Sequence, residues 1–167
     1  MKGANRRRVI IDTDAKNEAD DQFAVVHALL SPSLEVRGLI AAHFGTSRSD
    51  RSMEESREEI DLLLQLMGLE QQVTVANGAH SGIPDEQTPR DSEGAQLIIA
   101  ESKLASPEDQ LFVALLGPLT DMASAILLDP GLVDREVVVV WIGGVGYPNR
   151  DRGDGAGRVR SPKSSLG

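Results

Sequence analysis

The chain switches repeatedly between short β-branched runs and stretches of helical periodicity, the signature of a parallel sheet whose strands are joined by crossover helices. Parallel neighbours cannot be linked by a tight turn, so each strand needs a helix-length return. The first strand is expected over about Arg8–Asp12, followed by a helix from about Asp20 to Leu30 that stops at the Ser31-Pro32-Ser33 breaker. A second strand, Leu34–Ala42, leads into a polar loop. The next helix starts at Ser52-Met53-Glu54-Glu55, the spacing of a capping box, and runs to about Met67 before Gly68. A third strand at Gln72–Ala76 precedes a long Gly/Pro-rich loop, Asn77–Arg90, of the kind that carries function. A helix over about Ser92–Leu104 and a fourth strand at Gln110–Leu116 follow, then a helix entered through Gly117-Pro118 and closed by Leu128-Asp129-Pro130. The fifth strand, Glu136–Ile142, is nearly all valine, the composition of a strand buried on both faces, so helices are expected on both sides of an open, mostly parallel sheet. Trp141 within it reads as core packing. Such a sheet places its ligand beyond the carboxyl ends of its strands.

At 167 residues and 40% hydrophobic composition, one α/β domain accounts for the chain. A net charge of −9 points away from nucleic acid and anionic membranes and toward a cation or a small neutral ligand. The absence of cysteine excludes disulfides, thiolate catalysis and Cys-ligated zinc. The apolar run Val9-Ile10-Ile11 is broken by Asp12 and is too short for a signal-peptide core, and no segment reaches the roughly 20 apolar residues of a membrane span. A soluble, cytoplasmic protein is the expectation, with a domain over residues 1–149. Residues 150–167 hold five Lys/Arg and two Asp among 18 residues, rich in Gly and Ser. They are expected to form a disordered extension or to reflect a change of reading frame.

The chemistry concentrates where the first strand meets its helix. Asp12 and Asp14 flank Thr13, and a period of two would send both carboxylates to one side. Asp20 and Asp21 open the helix, where an acid can cap free N–H groups and face the positive end of the dipole, and Glu18 stands close by. Gathering these charges is unfavourable unless a cation or a proton intervenes. Oxygen donors without His or Cys suit Ca²⁺ first and Mg²⁺ second. The plainer alternative, a capping Asp20 beside solvated loop aspartates, explains one acid and leaves the others.

The segment Val9-Ile10-Ile11-Asp12-Thr13-Asp14 followed by Asp20-Asp21 resembles the signature of the inosine-uridine nucleoside hydrolases. A second block, Leu115 to Ala123 with Gly117-Pro118-Leu119-Thr120 at its centre and Leu128-Asp129-Pro130 beyond, is similar to that family's Gly-Pro-Leu-Thr segment, and Ile142-Gly143-Gly144 follows. The resemblance spans roughly residues 8–148. It implies hydrolysis of the N-glycosidic bond of a small nucleoside by a calcium-activated water. Asp14 would be both metal ligand and general base, Asp21 a second ligand, Thr120 a carbonyl ligand, and Asp12 a support of the cluster. Asp20 would bind a ribose hydroxyl, with Asn17 and His43 as further candidates for substrate contact.

The chain departs from the family's pattern in three places. Ala15–Ala19 makes the loop between Asp14 and Asp20 two residues longer than usual. Ala42-His43-Phe44-Gly45 stands where an asparagine is common. After the Gly-Gly block the family continues for about as long again, with further ribose contacts, a histidine for the leaving base and a last aspartate on the metal, whereas here Tyr147-Pro148-Asn149 gives way to the basic segment. A non-catalytic metal- or ribose-binding fragment, self-associating through an uncovered sheet edge, is the alternative. An Asp-Thr-Asp phosphatase is a third reading that the Gly-Pro-Leu-Thr block disfavours. His27 and His80 read as structural or solvated, and Ser92-Glu93-Gly94 as a helix start beside the pocket.

Overall fold

The computed structural model describes residues 6–143. Its five strands are β1 (Arg7–Thr13), β2 (Leu34–Ala41), β3 (Val75–Asn77), β4 (Leu111–Leu115) and β5 (Val137–Trp141), all paired in parallel in the order β3-β2-β1-β4-β5. The helices are α1 (Asp20–Leu30), α2 (Ser52–Met67), α3 (Glu93–Ser102) and α4 (Thr120–Leu128), with a 3-10 turn at Pro130–Asp134. The chain builds outward from β1 to β2 and β3, then returns to β4 on the other side of β1. That reversal puts a topological switch point between β1 and β4, where the loops leaving neighbouring strands diverge and open a crevice.

Alternating strand residues feed two cores. Val9, Ile11, Leu39 and Ala41 pack with Val25 and Ala28 of α1 and with Met53, Ile60 and Leu64 of α2. Ile10, Ile40, Val113 and Leu115 pack with Ala95, Ile98 and Ile99 of α3 and with Met122 and Ala125 of α4. Helices therefore cover both faces, as expected from the apolar strands. Helix α2 ends at Gly68, whose φ of +67° suits a residue without Cβ.

Three local expectations fail. Ser52 is the first residue of α2 and caps nothing. Its Oγ accepts the Phe44 N–H, while Glu55 accepts from Ser49 Oγ, so tertiary and loop partners displace the capping box. Helix α1 likewise begins without a side-chain cap at Ala19. β5 is not buried on both faces: among the described residues it pairs with β4 alone, Val139, Val140 and Ile142 are exposed, and Trp141 is 43% exposed rather than in the core. An apolar run specifies a strand, but its burial depends on what lies beside it, and among the described residues β5 is an edge. Trp141 donates its indole N–H to the Gly117 carbonyl at 3.0 Å. The expectations for residues 150–167 lie outside the described residues, and no helix among the latter is long and apolar enough to cross a membrane.

At the opposite end of the strands, Arg8 of β1 is buried against α3 and meets the Glu101 carboxylate at 2.6 Å, which Arg37 also reaches at 2.9 Å. Burial alone would raise the pKa of Glu101, yet the two guanidiniums hold it below the usual carboxylate value. Breaking such a pair strands a buried charge. Glu101→Ala is expected to cost about 3 kcal/mol in urea unfolding at pH 7. Because the native pKa is depressed, that cost should shrink as pH falls through the carboxylate range.

Candidate functional site

The C-terminal end of β1 carries the acidic cluster, but the side chains divide differently from the sequence expectation. Asp12, on the α3/α4 face with Arg8 and Ile10, is fully buried, and neither carboxylate oxygen has a hydrogen-bond partner. The strand ends at Thr13, so the alternation that would align Asp14 with Asp12 stops there. Asp14 instead opens a turn in which its carbonyl accepts the Asn17 N–H at 2.7 Å. Its carboxylate stands within hydrogen-bonding reach of Asp21 and accepts from Asn17 Nδ2 at 3.1 Å. Asp21, buried in the first turn of α1, also accepts the Thr13 hydroxyl at 2.6 Å. Asp20 and Glu18 are exposed, and Asp20 takes no part in these bonds.

A fourth buried acid comes from elsewhere in the chain. Asp121, in the first turn of α4, accepts the Ala79 N–H at 3.0 Å and the Ser92 hydroxyl, while its other oxygen has no partner. It is close enough to Asp12 to raise that group's pKa. Asp121 lies inside the Gly-Pro-Leu-Thr block, yet only the fold brings it under β1. The signal in the sequence was an acid at a helix start, which ordinarily reads as a dipole partner. Ser92 does begin α3, accepting the Ala95 N–H, and in addition reaches Asp121.

The longer loop is fastened at two adjacent residues. Lys16 pairs with Glu59 at 2.7 Å, and Arg48 grips the Asn17 side-chain oxygen at 2.7 Å, which turns the Asn17 amide nitrogen toward Asp14. Asn17 thus holds a site carboxylate. His43 is buried beside Thr120, their side chains 2.9 Å apart, and burial pushes its pKa down against a smaller pull from Asp121. His27 is exposed, and His80 lies 3.1 Å from Glu54 in a side chain largely open to solvent.

Electrostatics follows from this packing. Burial first, and then Asp121 and Asp14, push the Asp12 pKa well above the usual carboxylate value. Burial and the neighbouring Asp21 raise Asp14 to about 6, against the opposing help of its own backbone and Asn17. Asp121 is raised by burial despite its bonds to Ser92 and Ala79. Three buried oxygens, on Asp12 and Asp121, have no hydrogen-bond partner, which is why burial drives these acids toward their protonated forms. Gly117 closes the crevice, because a Cβ there would lie 2.8 Å from the Asp14 carboxylate carbon. The donor set suits a hard cation in kind, being oxygen alone. In number it is sparse: among the described residues no three His, Asp or Glu side chains converge to hold an ion, so a cation would rest on Asp14 and Asp21 with backbone or water oxygens. A separate open cavity of about 840 Å³, between the first half of α2 and the loop after β3, contains none of Asp12, Asp14, Asp21 or Thr120.

The model of the inosine-uridine preferring nucleoside hydrolases matches residues 9–155, nearly the whole chain. The chain belongs to that family. Probable uridine nucleosidase 2 of Arabidopsis thaliana is 27% identical to it over 164 residues, covering 84% of this chain and 48% of the relative. Among solved structures, a plant nucleoside hydrolase superposes with a TM-score of 0.63 at 23% identity, over 83% of this chain and 48% of its own. A purine-preferring ribonucleoside hydrolase from Gardnerella vaginalis gives 0.66 at 22%, over 83% and 49%. At these identities the superpositions establish the shared fold. The nucleoside hydrolase-like chain spans about half the length of the relatives it matches.

The raised pKa of Asp14 has a measurable consequence. Between pH 3.8 and about 6 the folded protein retains a proton that the unfolded chain has lost, so ionised Asp14 costs stability above that window. In EDTA at pH 7.5, Asp14→Asn is expected to be more stable than the parent chain in chemical denaturation, by at most about 3 kcal/mol. The difference should fade as pH is lowered toward 4. A pH-independent difference would show that Asp14 is not held out of its normal ionisation.

Proposed function

We propose that the chain provides the catalytic carboxylate face of an N-ribosyl hydrolase, which splits the N-glycosidic bond of a nucleoside into free base and ribose. What carries this reading is Asp14, a buried carboxylate with its pKa near 6 at a topological switch point, in a chain of the nucleoside hydrolase family. N-glycoside cleavage passes through an oxocarbenium-like sugar, so the site must position a water, hold ribose hydroxyls and tolerate developing positive charge. Without a bound ion, a pKa of about 6 leaves Asp14 mostly ionised at neutral pH and able to accept a proton from water, and an ion held by the same carboxylate would lower that value. Asn17 keeps its carboxylate oriented. Buried Asp12 and Asp121 lie beneath the crevice, where they would add negative potential only in their ionised form, favouring a cationic transition state over a neutral ground state.

Asp14, Asp21 and the Thr120 carbonyl are the groups that would hold a divalent ion, with Asp12 behind them, and Ca²⁺ matches their oxygen donors better than Mg²⁺. Such an ion, when bound, would neutralise the acids and make a nearby water more acidic. Exposed Asp20, at the rim of the cluster, is free to take a ribose hydroxyl.

The sparse donor set supports a second reading, in which the chain binds a cation or ribose without turnover. Calorimetry with Ca²⁺, followed by chromatographic assay of base release from inosine and uridine, separates the two. The hydrolase reading expects metal-dependent base release from at least one nucleoside, lowered more than about 100-fold in Asp14→Asn. Ca²⁺ uptake without release would select the binding reading, and unchanged turnover in Asp14→Asn would remove Asp14 from its role.

A further inference from the structure

His43 and Thr120 meet at the carboxyl ends of the strands although 77 residues separate them in sequence. His43 lies two residues beyond β2, Thr120 is the first residue of α4, and they are 6% and 7% exposed. Their side chains are 2.9 Å apart, Nε2 to Oγ1. The second ring nitrogen decides which group donates. The Gly45 N–H donates to Nδ1 at 3.1 Å, so Nδ1 is the bare nitrogen, Nε2 carries the proton, and Nε2–H donates to the Thr120 hydroxyl. Gly45 has a φ of +81°, a left-handed conformation that returns its N–H to the ring two residues earlier. The turn after β2 therefore selects a tautomer, and the tautomer selects the bond across the crevice.

Both ring nitrogens are thus committed, which leaves His43 no free polar atom for a substrate. We propose that His43 is a positioning residue: as the Nε2–H tautomer it fixes Thr120, and with it the start of α4, at the mouth of the crevice between β1 and β4. Two groups depend on that placement. The Thr120 carbonyl is one of the oxygens assigned above to the cation, and to that extent the inference rests on the proposed function. The next residue, Asp121, fastens Ala79 and Ser92 of the long loop. One bond would therefore set both the cation-facing carbonyl and the loop anchor.

The test compares His43→Gln, His43→Asn and Thr120→Val in the full chain. A glutamine amide reaches the Nε2 position and can donate to Thr120, whereas an asparagine amide ends near Nδ1 and cannot. Long-range proton–nitrogen spectra of the three histidines should show one neutral ring protonated at Nε2, with that nitrogen shifted in Thr120→Val. Amide exchange at Ala123 and Ser124 should quicken in His43→Asn and return toward the parent rate in His43→Gln. Ca²⁺ affinity should fall about tenfold in His43→Asn and in Thr120→Val, be largely restored in His43→Gln, and fall no further in the His43→Asn/Thr120→Val double variant. An Nδ1–H ring, or an Nε2 resonance indifferent to Thr120→Val, would overturn the proposal. A parent chain that takes up no Ca²⁺ would defeat the cation reading instead, and the spectra and exchange rates would still decide whether His43 positions Thr120.

Discussion

Negative charge held out of water at the carboxyl end of β1 is the constraint around which this protein is arranged. Asp12 is completely buried with no hydrogen-bond donor, and Asp121 has one bare oxygen beside it. Isolated buried carboxylates are among the most expensive groups a fold can carry, so they protonate or acquire a counter-charge. The raised pKa values of Asp12, Asp14 and Asp121 are this cost expressed as proton affinity. Raised proton affinity at a cluster of this kind is the pattern expected where a site rather than the core dictates residue choice.

Such a cluster is kept in place by neutral or remote donors rather than by adjacent cations. Thr13 donates to Asp21, Asn17 to Asp14, and Ser92 with the Ala79 amide to Asp121. Arg48 acts on Asp14 only through the Asn17 amide, and the buried Arg8 sits at the far end of the strand with Glu101. A guanidinium placed directly on the acids would have neutralised them and lowered their pKa values. The observed network fixes geometry without supplying a counter-charge to the acids.

The fold supplies this arrangement through its switch point. Because β2 and β4 flank β1, the loops leaving them deliver His43 and Thr120 from either side, and the reversal after β3 places α4 on the face opposite α1. The exposed apolar edge at β5 belongs to the same topology: the strand completes one flank of the crevice, where Trp141 bonds Gly117, yet has a neighbour on one side only among the described residues. The chain covers about half the length of its relatives.

Much of this was legible in the residues. Periodicity gave all five strands and four helices within a few residues, because a period of two and a period of 3.6 are local properties of a chain that must bury one or both faces. The gathering of Asp12, Asp14 and Asp21 at the end of β1 was also visible, since they stand within ten residues of one another where the strand meets its helix. Partnerships across the sheet were not. Whether Ser52 caps a helix or takes the Phe44 N–H, whether valine-rich β5 is central or an edge, and whether His43 faces a ligand or Thr120 all depend on groups distant in sequence. Composition and spacing by themselves determined the parallel α/β class and the acidic chemistry at the end of the first strand. Tertiary structure alone decided that Asp121, not Asp20, is the fourth buried acid of the cluster, because strand order, which local pattern does not encode, sets which helix start lies against β1.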